Sequence, residues 1–137
     1  MLDFNSPIGR KIKRRLREEQ IIWLTTVDSH NTPQPRPVWF HWDGSDILIF
    51  SQARAAKVRH IIRNPKVALN FNTDSSGGDV SVMIGEAHVQ TEALPVNRMR
   101  NYMRKYRQGL QDIGLAVAEM QAEYPVIILV TLLSLRD

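Results

Sequence analysis

The chain contains no cysteine, which excludes disulfides, thiolate nucleophiles and cysteine-ligated metals. No apolar run approaches the roughly 18 residues of a membrane-crossing helix. The longest, Val126 to Leu133, is eight residues, includes Thr131, and reads as a buried strand. The N-terminus lacks the apolar core of a signal peptide, so a soluble, cytoplasmic protein with no membrane partner is expected. His30, His41, His60 and His88 are scattered, with no His-Glu-x-x-His spacing and no carboxylate cluster, so no metal site is expected. Aromatic residues make up only 7% of the chain, and Trp23, Trp39 and Trp42 all fall in its first third.

What is present suits one domain spanning residues 1–137, long enough to bury a core without covalent staples. Apolar residues are 43% and charged residues 23%, an ordinary globular balance. The formal charge is +4 and unevenly placed: Arg10, Lys11, Lys13, Arg14, Arg15 and Arg17 stand within eight positions. Such a run reads either as a patch for nucleic acid or a membrane surface, or as the solvated face of an amphipathic helix. Ser6-Pro7 is a good helix start, and Ile8, Ile12 and Leu16 repeat along one stripe. Aromatics are not interleaved with the basic run, so a nucleic-acid partner is not expected.

Gln20 to Val27 and Gln34 to Trp42 read as strands, and Pro33, Pro35 and Pro37 give the second either an edge position or an irregular start. Asp43-Gly44 is a hairpin signal before a third strand, Ile47 to Ser51. A helix over Ala53 to Asn64, a strand over Lys66 to Asn72, a Gly-rich loop and a strand over Val80 to Gln90 follow. Pro95 to Tyr106 and Leu110 to Ala122 read as helices, with Gly109 either breaking or bending the junction, and Val126 to Leu135 closes the chain as a strand. Six strands, hairpin turns and a late return strand predict a mainly β fold: a small antiparallel Greek-key barrel with helices outside.

The stretch after Phe50 is locally odd. The wheel of Ala53–Asn64 buries Ala55, Val58, Ile61 and Ile62 and turns Arg59 and Arg63 outward. Arg54 and Lys57 lie at the border of the buried face near the helix N-terminus, where cations oppose the dipole. An anion would resolve this, because free backbone N–H groups, the Ser51 hydroxyl and one or two cations would converge on a phosphate. The other reading is that both side chains extend to water. Ser51 has no His and acid partners for a hydrolase triad. His41 shares the face of Trp39, and Tyr102, Tyr106 and Tyr124 read as packing aromatics.

The segment RPVWFHWDGSDILIFSQARAAKVRHIIRNPKVALNF resembles the split-barrel flavoproteins of the pyridoxamine 5'-phosphate oxidase superfamily, especially a deazaflavin-dependent subgroup. The resemblance covers roughly residues 15–90 well and the rest by order of elements. It implies a six-stranded split β-barrel with flanking helices, forming a homodimer with flavin-type sites at the subunit interface. It implies that Arg36, Pro37, Val38 and Trp39 lie along the isoalloxazine ring and ribityl chain. Phe50, Ser51 and Gln52 would mark where the chain nears the phosphate, which Lys57 binds, and Asp79 matches a polar ring-contacting position.

The departures are specific. The related oxidases carry Arg just before that Lys, and here Ala56 stands there, with Arg54 one turn earlier as a substitute charge. Their closing segment of Trp and Arg residues is replaced by LLSLRD, which argues against vitamin oxidation. The resemblance therefore implies an oxidoreductase using FMN or a deazaflavin coenzyme on a small organic substrate. The alternative is a non-catalytic flavin- or haem-type carrier of the same fold.

Overall fold

Proline at every second position of Pro33–Pro37 removes backbone donors from one side of the strand only, so that strand can pair along one edge alone. The computed structural model, which describes residues 2–90 and 92–137, puts it at one end of a seven-stranded antiparallel sheet. The strands are β1 (Ile21–Val27), β2 (Pro33–Trp39), β3 (His41–Trp42), β4 (Asp46–Ser51), β5 (Lys66–Asn70), β6 (Val82–Gln90) and β7 (Val126–Arg136). Their order across the sheet is β2-β1-β5-β6-β7-β4-β3. The late return strand β7 lies between β4 and β6, as the barrel reading requires.

The strand count of six is corrected to seven. The expected strand Gln34–Trp42 is interrupted at Phe40, giving β2 and β3. These two pieces lie at opposite ends of the strand order, yet only Phe40 separates them in the chain. The sheet therefore curls until its two outer strands meet, β2 pairing with β1 and β3 with β4. At β6 the register shifts between Ile84 and Gly85. A Cβ at Gly85 would lie 2.8 Å from the Thr131 carbonyl oxygen, so only glycine fits that close approach.

Alternation divides the apolar residues between two clusters. Ile47 and Ile49 face inward with Ile22, Leu24, Phe40 and Leu69, while Leu48 faces outward with Tyr102, Tyr106 and Leu110. The inner cluster is closed by α1 (Pro7–Glu18), through Ile12 and Leu16, and by α2 (Ala56–Arg63), through Val58 and Ile61. The outer cluster is covered by α3 (Val96–Asp112) and α4 (Val117–Glu123). Among the described residues no helix is long and apolar enough to cross a membrane.

Several expectations change in detail. Ser6 caps α1 as expected, its hydroxyl accepting from Gly9 N at 3.0 Å. The basic face of α1 is not wholly solvated, however: Arg15 is buried, and it donates to the carbonyls of Asn72 and Asp79 and to Glu19. Arg15 thus ties the loop before β6 to the helix. Helix α2 starts later than expected, at Ala56, and Ile62 is 70% exposed rather than buried. Helix α3 runs straight through Gly109. The break comes at Gly114, whose φ of +70° favours glycine.

Candidate functional site

The interruption at Phe40 leaves a fully buried residue with no ladder partners. Its N–H donates to the Tyr106 hydroxyl at 2.7 Å, and its carbonyl accepts from Lys105 Nζ at 2.7 Å. Lys105 also sits 3.5 Å from the centre of the Phe40 ring. Burial pulls its pKa down to about 8. These contacts pin α3 across the strand break and so fix Trp39, the residue just before it. The Trp39 indole stacks on Tyr106, with centroids 4.5 Å apart and planes within 4°. A Cβ on Gly109 would come within 3.1 Å of that indole, so glycine lets α3 pass directly over Trp39.

Below Trp39 lies an apolar cavity of about 210 Å³. Pro37, Val38 and Trp39 from β2 and Phe50 from β4 form one wall. Tyr102 and Leu110 of α3, the turn residues Ile113 and Leu115, Met120 of α4 and Tyr124 form the other. Phe50 meets Tyr102 edge-on, at 4.6 Å and 80°. Among the described residues Lys57 is the one charged side chain in this lining.

Lys57 also lines a second cavity of about 280 Å³, most of whose lining side chains carry a polar or charged group. There it stands with Arg36 and Gln34 of β2, Thr26 of β1 and His60 of α2. Thr26 Oγ1 and His60 Nδ1 are hydrogen-bonded at 2.8 Å. Lys57 occupies the first turn of α2, whose N-terminus has no side-chain cap and no acidic residue. Burial lowers the Lys57 pKa from its ordinary value, and the nearby Arg36 lowers it further. Among the described residues no carboxylate forms a salt bridge with either cation. Two cations at an uncapped helix start, without a counterion, make a corner that favours an anion.

The ten residues singled out in the sequence separate into two groups. Arg36, Pro37, Val38, Trp39, Phe50 and Lys57 gather around the two cavities, which share Lys57. Ser51 is buried, but its hydroxyl donates to the Gln52 carbonyl at 3.0 Å and lines neither cavity. Gln52 and Arg54 are exposed beside the corner, and the Arg54 carbonyl accepts from Arg59. Asp79 is on the loop held by Arg15, with its carboxylate 3.7 Å from that guanidinium. His41 lines neither cavity; burial and then Lys105 lower its pKa.

The polar residues missed left a signal. His60 stands one turn after Lys57 on the same helix face, and Gln34 shares a strand face with Arg36. Thr26 is the register partner of Gln34. Tyr106, Lys105 and Gly109 left none, because their partner Phe40–Trp39 lies more than sixty positions away.

The fold and site thus define a class: a small curled antiparallel barrel with a cationic corner and an aromatic-walled slot that share Lys57. A family profile described as pyridoxamine 5'-phosphate oxidase matches residues 8–129. The chain belongs to that family. No curated protein matches it. Among solved structures it is similar to a candidate pyridoxamine 5'-phosphate oxidase from Listeria innocua, at 23% identity and TM-score 0.71, covering 93% of this chain and 94% of that one. It is similar to an F420 reductase at 21% identity and TM-score 0.69, covering 90% and 94%. It is also similar to HutZ, a haem storage protein from Vibrio cholerae, at 15% identity and TM-score 0.68, covering 96% and 94%. At these identities the likeness shows the fold alone.

Proposed function

We propose that this chain is a flavin- or deazaflavin-dependent oxidoreductase acting on a small organic substrate, as a homodimer with its cofactor sites at the subunit interface. The observation that carries the reading is the position of Lys57, shared by a cavity lined by Arg36, Gln34 and His60 and a cavity lined by Trp39 and Phe50. A flavin-type coenzyme has this division of chemistry, an anionic tail and a flat, largely apolar ring system. Lys57 and Arg36 would hold the phosphate, with the uncapped start of α2 adding backbone N–H groups. Pro37, Val38, Trp39 and Phe50 would hold the ring. Once bound, such a cofactor supplies hydride transfer.

The protein's part is binding, orientation and exclusion of water. Tyr106 and Gly109 fix the Trp39 plane, and Leu110, Leu115 and Met120 screen the slot from solvent. Exposed Ile62 and Ile113, at 70% and 61%, supply apolar surface for a second subunit. Similarity to an F420 reductase supports the deazaflavin form of the reading, and similarity to an FAD-binding protein from Mesorhizobium loti supports the flavin form.

The test is the absorption spectrum and mass of the ligand that co-purifies, followed by titration of the stripped protein with FMN and with the deazaflavin coenzyme. Saturable binding of one of them, with turnover of an acceptor, supports the reading. A co-purifying haem with no flavin uptake replaces it by the carrier function.

A further inference from the structure

Helix α3 carries five cations, Arg98, Arg100, Arg104, Lys105 and Arg107, against one carboxylate, Asp112. Its excess equals the whole formal charge of the chain, +4. Two of the five are engaged: Arg98 pairs with Asp43 at 2.7 Å, and Lys105 is held at Phe40. Arg100, Arg104 and Arg107 are not. They recur at helical spacing on one face, all three are exposed, and no salt bridge engages them among the described residues.

These three arginines line one wall of a groove of about 430 Å³ between α3 and α4. The rest of that groove is largely apolar, through Met103, Leu110, Leu115 and Val117. Leu110 and Leu115 also line the Trp39 cavity. The groove and the slot are therefore two sides of one thin leucine wall, and that wall includes the end of the turn at Gly114.

We propose that this groove binds the substrate, and that the substrate is an organic anion with an apolar body. Its acid group rests on Arg100, Arg104 and Arg107, and its apolar part lies on Leu110 and Leu115, the leucines whose other side faces the Trp39 slot. A bare polyanion such as nucleic acid would leave the apolar floor unused, whereas an uncharged lipid would leave the guanidinium row unused. As a substrate assignment this rests on the cofactor reading above; as a binding site it stands on the groove alone.

Decanoate, below its micellar concentration, is the probe, with decanol and acetate as controls lacking the charge or the body. Binding to the full chain is read by calorimetry and by the indole N–H resonances of Trp23 and Trp39. Decanoate is expected to bind about tenfold more tightly than either control, to weaken with salt and to shift the Trp39 resonance but not that of Trp23. The double variant Arg104→Gln/Arg107→Gln, which removes two of the three exposed charges, is expected to weaken decanoate about tenfold. Decanol binding and cofactor binding should stay unchanged in that variant.

Equal binding of decanoate and decanol would overturn the inference. So would loss of decanoate binding in Lys57→Ala but not in the double variant, since the anion would then sit in the phosphate corner. If no flavin or deazaflavin binds while decanoate still depends on the arginines, the groove is supported and only the cofactor reading fails.

Discussion

Replacing Tyr106 by Phe removes a single oxygen and leaves the stacking ring in place. That oxygen lies 2.7 Å from Phe40 N, from Phe40 O and from Gln20 O. With one proton it accepts from the Phe40 N–H and donates to one carbonyl. The Phe40 carbonyl keeps Lys105 as a donor, so the hydroxyl proton is best used by Gln20. In the variant the fully buried Phe40 N–H is orphaned, at about 1–3 kcal/mol, and a second hydrogen bond worth about 0.5–1.5 kcal/mol is lost. The expected destabilisation is about 2–4 kcal/mol, a large share of the roughly 5–15 kcal/mol that holds a domain together. For 137 residues that lowers Tm by about 7–14 °C.

The assay is urea unfolding followed by far-UV circular dichroism, with Tyr102→Phe as the control. Tyr102 is equally buried in the outer cluster but makes no hydrogen bond through its hydroxyl among the described residues, so its loss is expected to change stability by less than about 0.5 kcal/mol. Equal, small effects of the two changes would refute the idea that Tyr106 seals the strand break.

Gly109→Ala is expected to destabilise by about 1 kcal/mol: crowding the stacked Trp39 costs about 1–3 kcal/mol, partly offset by the roughly 1 kcal/mol gain in helix propensity. Thermal melts read the loss, and a shifted Trp39 emission reads the displaced indole. Lys105 has a folded-state pKa of about 8, below its ordinary 10.5. Between those values the unfolded chain binds the extra proton, so Lys105 makes the protein more stable as pH rises through that window. The buried Tyr102 and Tyr106, whose pKa values are raised by burial, oppose this above about pH 10. Stability measured from pH 7.5 to 9.5 should therefore climb more steeply in the wild type than in Lys105→Met, and equal slopes would refute the assignment.

Local pattern carried much of this molecule. The apolar, β-branched run of Gln20–Val27 was enough to place a strand, and the prolines of β2 narrowed the next one to an edge position or an irregular start, of which the structure shows the edge. Spacing along α2 brought Lys57 to the border of the buried face, where it lines both cavities. The barrel was legible but not the break at Phe40 through which it closes, because that break depends on β1 and β4 pulling one continuous apolar strand in two directions. Gly109 looked like a punctuation mark and proved to be a contact, since its partner is an indole seventy residues earlier. Arg15 looked solvated within a basic run, because nothing local announces that the carbonyls of Asn72 and Asp79 will arrive beside it. Ser51 was expected to aim at the corner, but a hydroxyl can satisfy itself on the adjacent carbonyl, and here it does.

The most direct measurement compares FMN with riboflavin, which differ only in the phosphate, on the wild type and on Lys57→Ala. A charge-assisted contact contributes about 1.5–3 kcal/mol, so the wild type is predicted to bind FMN at least tenfold more tightly than riboflavin, and the variant to lose most of that ratio while keeping its riboflavin affinity. Equal affinity of the wild type for the two ligands, or an unchanged ratio in Lys57→Ala, would contradict the phosphate corner on which the account rests.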